Sequence, residues 1–131
     1  MLRAAAFTFA ALFLVAALLQ HNDPDPVRWI AIYLAACMSC LVTAFRRTDW
    51  ELSAATGAVA LVWALTLLPE AAKVPFPELF AAWEMADARI EVAREMYGLL
   101  LVFAVCAPFA RQQWSAARAA ELAAPDKDAP A

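Results

Sequence analysis

Glu91, Arg94 and Glu95 are the residues whose types and spacing most invite chemistry in this chain. Glu91 and Glu95 stand at i and i+4, one above the other on a helical face, with Arg94 beside them. Two carboxylates next to a guanidinium can exchange a proton, hold a polar ligand or ion, or pair among themselves. A second polar group lies far away in sequence, in the turn His21-Asn22-Asp23-Pro24-Asp25-Pro26. The two groups together define a candidate site of Asn22, Asp23, Asp25, Glu91, Arg94 and Glu95. His21 brings a metal to mind, with Asp23, Glu91 or Glu95 as co-ligands. One histidine with carboxylates at no characteristic spacing is not a metal signature, and no metal is expected. Cys37 and Cys40 form C-x-x-C, with Cys106 elsewhere. A redox pair needs an exposed helix N-terminus to stabilise its thiolate. These cysteines lie deep in apolar runs and are expected to pack as small hydrophobes. No nucleotide-binding, zinc-protease or nucleophile-elbow pattern is present, so no cofactor is expected.

The elements that must carry these residues are set by composition. Hydrophobic residues make up 65% of the chain and mean hydropathy is +0.62, well above soluble domains at about 45–50% apolar. Four apolar runs, at about 2–19, 28–45, 52–68 and 90–110, each approach the ~20 residues that cross a bilayer. Their apolar residues surround the helix instead of forming a stripe, as lipid-facing helices require. Two glycines and the lack of apolar–polar alternation argue against a β-barrel. The expected fold is an all-α integral membrane protein. It is an antiparallel four-helix transmembrane bundle over 1–111, with an amphipathic segment before helix 4. Residues 112–131 are expected to form a cytoplasmic tail, partly disordered. Arg3 followed by Ala4–Leu19 resembles a secretory signal, but the apolar run continues past the conceivable cleavage site at 15–17, so an uncleaved first helix is expected.

Orientation comes from the basic residues. Four spans put Arg3, Arg46, Arg47, Arg111, Arg118 and Lys127 on one side, and Arg28, Lys73, Arg89 and Arg94 on the other. The first set is larger and closer to the span ends, which predicts both termini in the cytoplasm. The net charge of −3 gives no reason to expect nucleic acid.

Local signals refine the picture. Asp23 or Asp25 can cap helix 2, whose first turn tolerates proline. Thr48 or Asp49 can cap helix 3, which is expected to stop at Pro69. Leu79, Phe80, Trp83, Ala86 and Ile90 recur at helical spacing opposite Glu84 and Asp87, the pattern of an interfacial helix. Trp29, Trp50, Trp83 and Trp114 fall near span boundaries, as interfacial aromatics do, whereas Trp63 is expected to pack inside. Pro108 is expected to kink or end helix 4.

Helix 4 makes the charges informative. Met96–Ala110 alone is too short to span, so Glu91, Arg94 and Glu95 must lie at the interface or a turn below it. Ionised groups at such depth are costly and usually turn inward to partners. Gly98, one turn on, allows another element to come close. Two readings follow: a structural lock fastening the 21–26 turn to helix 4, or a site for a ligand, ion or proton.

The stretch Gln20-His21-Asn22-Asp23-Pro24-Asp25, followed by Trp29 and Tyr33, resembles the transmembrane protein 220 family. Arg94-Glu95 with Gly98-Leu99, and Trp63 in the third span, add to the resemblance. It implies a small multi-pass helical membrane protein and directs interest to Asn22, Asp23, Asp25, Arg94 and Glu95. It brings no reaction with it. The expected function is therefore that of a non-enzymatic binding or interaction protein with an outer-face polar site. Membrane lipids, another membrane protein or a second copy of the chain are its expected partners. The alternative is a membrane-embedded enzyme or proton-coupled carrier using Glu91, Glu95 and Asp23 as acid–base groups.

Overall fold

The computed structural model describes residues 2–22, 25–80 and 88–124. Four helices account for most of them: α1 (Leu2–Leu19), α2 (Pro26–Ala44), α3 (Trp50–Ala71) and α4 (Ala88–Ala123). Short 3-10 turns, Gln20–Asn22 and Phe76–Phe80, interrupt the connections, and no strand occurs among the described residues. Every helix contains a window apolar and long enough to cross a membrane. At 18 residues α1 measures about 27 Å, just short of a ~30 Å hydrocarbon core. At 36 residues α4 measures about 54 Å and must project beyond the bilayer. The protein is a multi-pass, all-helical membrane bundle.

Helix ends follow from local chemistry, with some departures from expectation. Pro26 opens α2 at a position where a missing N–H costs nothing. Asp25 occupies the N-cap position of α2 and Asp49 that of α3, yet neither side chain makes a capping bond. Pro69 does not stop α3, which continues to Ala71. Its ring removes only one bond near the helix end, and Ala72 N–H still closes the next turn on the Leu68 carbonyl at 2.9 Å. Likewise α4 runs through Pro108 and reaches Ala123. Alanine at 116, 117, 119, 120 and 123 favours helix intrinsically, so most of the stretch expected as a tail is ordered helix. The amphipathic segment expected over 79–90 falls largely on 81–87, outside the described residues.

Packing is built on small side chains. The seam between α3 and α4 is the most extensive in the bundle, and α1 packs chiefly on α2. α2 also touches α3 and α4 and so joins the two pairs. Along α3 the buried face reads Ser53, Thr56, Gly57, Ala60, Ala64, a small-residue spacing that lets helix backbones approach. A Cβ on Gly57 would meet Cys106 Cβ of α4 at 3.3 Å. α1 buries a narrow stripe, Ala6, Ala10, Phe13 and Ala17, and leaves Leu12, Val15, Leu18 and Leu19 outward for lipid. Cys37, Cys40 and Cys106 are all buried free thiols.

Trp29 differs from its expected interfacial place. It is 2% exposed and stacks on Trp63 with ring centroids 4.4 Å apart. Tyr33 continues the stack toward Phe13. This aromatic column joins α1, α2 and α3, where single-boundary reasoning had placed a headgroup anchor.

Candidate functional site

Polar side chains collect at the two ends of the bundle. The loop end holds the Gln20–Asn22 turn, Asp25, residues 72–80 and the start of α4. The terminal end holds the start of α1, the close of α2 and the start of α3.

At the loop end Arg94 is half-buried in the second turn of α4. Its Nε and Nη2 both donate to the Leu79 carbonyl, at 3.0 and 2.8 Å. That forked bond satisfies an acceptor in the irregular segment between α3 and α4. Leu79 itself is buried, Val74 packs against the core, and Phe76 meets Tyr97 of α4 edge-on at 5.7 Å. A latch results: one guanidinium and two apolar contacts hold the 74–80 segment to α4. Phe76 and Phe80 remain exposed at 59% and 75%, and contact each other at 5.5 Å.

The remaining expected site residues fall as follows. Glu91 and Glu95 share the opening turns of α4 and are half-buried, Glu95 having partners of its own. Asp25 bonds Arg28 one turn into α2 at 2.5 Å, both side chains being largely exposed. Asn22 ends the first 3-10 turn, and Asp23 lies outside the described residues. His21 Nδ1 sits 3.1 Å from the Leu18 carbonyl, a bond needing the Nδ1–H tautomer. α2 and α4 do meet at this end: a Cβ on Gly98 would lie 2.7 Å from the Tyr33 hydroxyl oxygen. The close approach expected at Gly98 is therefore made by a tyrosine side chain. Arg28 also stands over Trp63, 5.7 Å from the ring centroid. The Trp29 indole N–H, which is buried, lacks a hydrogen-bond partner among the described residues.

The terminal end was not singled out by the sequence, and its geometry is distinct. Gln113 of α4 is buried at 4% exposure. Its Nε2 lies 2.5 Å from Thr43 Oγ1 of α2 and 3.2 Å from Ser53 Oγ of α3. Thr43 in turn donates to the Ser39 carbonyl at 3.0 Å, and Ser39 Oγ donates to the Ala35 carbonyl and lies 3.5 Å from Thr56 Oγ1. A single amide thus ties three helices. Gln113 looked like an ordinary tail residue because α4 was expected to end before it. A helix continuing from Phe109 would have put it on the buried face one turn later.

Beside Gln113 lies a cavity of about 400 Å³, bounded by Arg3 of α1, Arg46 and Arg47 after α2, Thr48, Gln112 and Ala116. Arg46 adopts φ 59°, the left-handed region. Its N–H and that of Arg47 close α2 on the Thr43 and Val42 carbonyls, both at 3.0 Å. This is the helix-closing turn that normally takes glycine, and a side chain there costs about 1 kcal/mol. Among the described residues no carboxylate pairs with Arg3, Arg46 or Arg47.

The sequence matches the family model for transmembrane family 220, a helical family, over residues 12–110. No curated protein and no solved structure matches it. The match takes in α2 and α3 whole, the second half of α1 from residue 12, and α4 as far as Ala110. It includes the 20–25 turn, the Trp29–Trp63 stack and the Arg94 latch, so the chain belongs to transmembrane family 220.

Proposed function

We propose that this is a non-enzymatic membrane interaction protein whose loop-end polar group shapes a surface for lipid head groups or a partner membrane protein. The observation that carries this reading is the forked bond from Arg94 to the Leu79 carbonyl. It gives the cation of the candidate site a backbone carbonyl to hold. What the latch presents is the pair Phe76 and Phe80, exposed apolar rings of the kind that dip into the headgroup–acyl boundary. Asn22, Asp23, Asp25, Glu91 and Glu95 complete the polar rim in this reading, with no acid–base role. The arginines at 46, 47 and 111, close to span ends, support placing both termini in the cytoplasm and the latch on the outer face.

A photo-crosslinking residue at Phe80 tests the proposal in native membranes. The expected result is a discrete adduct, protein or lipid, that fades when Arg94→Ala releases the segment. The same probe at Leu12, a lipid-facing position on α1, supplies the comparison. Identical adducts at both positions, indifferent to Arg94, would overturn the reading.

A further inference from the structure

We propose that the terminal-end cavity binds the phosphate of an anionic phospholipid head group, a site separate from the loop-end latch. Three guanidinium groups, Arg3, Arg46 and Arg47, border about 400 Å³ of space, within the ~300–1,000 Å³ range of small-ligand sites. Phosphate oxygens are the acceptors that forked guanidinium donors fit best. Arg3 also rests against the Phe7 ring, 5.7 Å from its centroid, which orders the side chain near α2. Thr48 and Gln112 add neutral hydrogen-bonding groups on the same lining.

A second observation points to a missing partner. Gln113 lines the cavity, is almost wholly buried, and has no hydrogen bond to Oε1 among the described residues. The 2.5 Å separation from Thr43 Oγ1 is short for N–H···O and ordinary for O–H···O. With the amide turned by half a rotation, the Thr43 hydroxyl donates to Oε1 once it leaves the Ser39 carbonyl, and Nε2 becomes the unpartnered group. That amide N–H lies beneath the arginine lining and is closed to solvent, so a phosphate oxygen reaches it where the lining side chains part. Arginine stands at the left-handed position of residue 46, where glycine would close α2 with less strain but bring no charge.

The location selects the source of the phosphate. The cavity lies where α1 starts and α2 ends, at the limit of the apolar windows, which is the depth of phospholipid head groups. Basic pockets between helices at this depth are suited to anionic head groups.

Native mass spectrometry of the full chain in mild detergent tests this with three probes: dioleoylphosphatidylglycerol, dioleoylphosphatidylcholine and inorganic phosphate. The expected result is retention of phosphatidylglycerol over phosphatidylcholine. Loss of both guanidinium groups in Arg46→Gln/Arg47→Gln should reduce that retention on the order of tenfold. Arg111→Gln removes a charge at the same end but outside this cavity, and should leave retention unchanged. Arg46→Gly guards against a folding artefact: it should hold or raise the melting temperature while lowering retention. Equal retention of the two lipids, or equal loss in the Arg111 variant, would overturn the site. Displacement of the lipid by millimolar inorganic phosphate would overturn the lipid assignment and leave a free-anion site.

Discussion

The two ends of this bundle treat charge in opposite ways. At the loop end Arg94 is committed to the Leu79 carbonyl, Arg28 to Asp25, and Lys73 to Glu70 one turn back at 2.7 Å. At the terminal end the buried work is done by neutral groups, Gln113 with Thr43 and Ser53, and Arg46 and Arg47 stand around a cavity without carboxylates. The difference teaches that a half-buried charge in this fold fastens backbone, whereas the exposed Arg46 and Arg47 of the opposite rim have no carboxylate partner among the described residues. A backbone carbonyl in an irregular segment lacks a regular helical partner, and here it takes its donors from a cation. A seam of helices can be tied by a neutral amide, which avoids the desolvation cost of burying charge.

Variants can break or sharpen this contrast. The seam shared by both ends should be the most sensitive place. Gly57→Leu forces side-chain atoms into Cys106, already 3.3 Å from the first added carbon, and overpacking of this kind costs about 1–3 kcal/mol. Thermal unfolding in detergent should show the largest drop of the series, with loss of helix cooperativity at both ends. Arg94→Ala should come next. It removes two charge-assisted bonds and strands the Leu79 carbonyl, a loss of about 2 kcal/mol before allowance for its partial exposure. Protease access at 74–80 should rise in that variant, with the terminal end still protected.

Gln113→Leu keeps the volume and cuts the three-helix tie. Side-chain hydrogen bonds inside membranes average about 0.6 kcal/mol and reach about 1.7, so a loss near 1 kcal/mol is expected by denaturant titration. Its hydrogen-exchange signature should appear on α2 and α4 near Thr43 and Gln113, and leave the loop end quiet. Asp25→Asn should do least. The Asp25–Arg28 pair is exposed on both sides, and such pairs contribute well under about 1 kcal/mol. A melting shift there as large as that of Arg94→Ala would erase the distinction between buried and exposed charge.

The helices were legible because four long apolar runs in 131 residues leave few alternatives. The prominence of Arg94 was legible too, since Met96–Ala110 is too short to span without it. Its bond to a carbonyl was not, because the acceptor belongs to an irregular 3-10 turn whose path no periodicity reports. Trp29 was read as an interfacial anchor from its place near a boundary, yet the stack on Trp63 depends on which helices become neighbours. Pro69 reads as a stop and Pro108 as a kink or an end because proline breaks one hydrogen bond, but near a helix end or within a tightly packed span that loss is tolerated. Gln113 was missed because helix 4 was expected to close at about residue 110; continuing it to Ala123 moves that residue from tail to core.

The claim that Arg94 acts as a structural latch is tested most directly by comparing melting temperatures of Arg94→Ala and Arg111→Ala in the same detergent. Arg111 is exposed on α4 at the other end of the bundle. The latch predicts that Arg94→Ala melts several degrees below wild type while Arg111→Ala stays close to it. Equal melting temperatures for the two variants would contradict it.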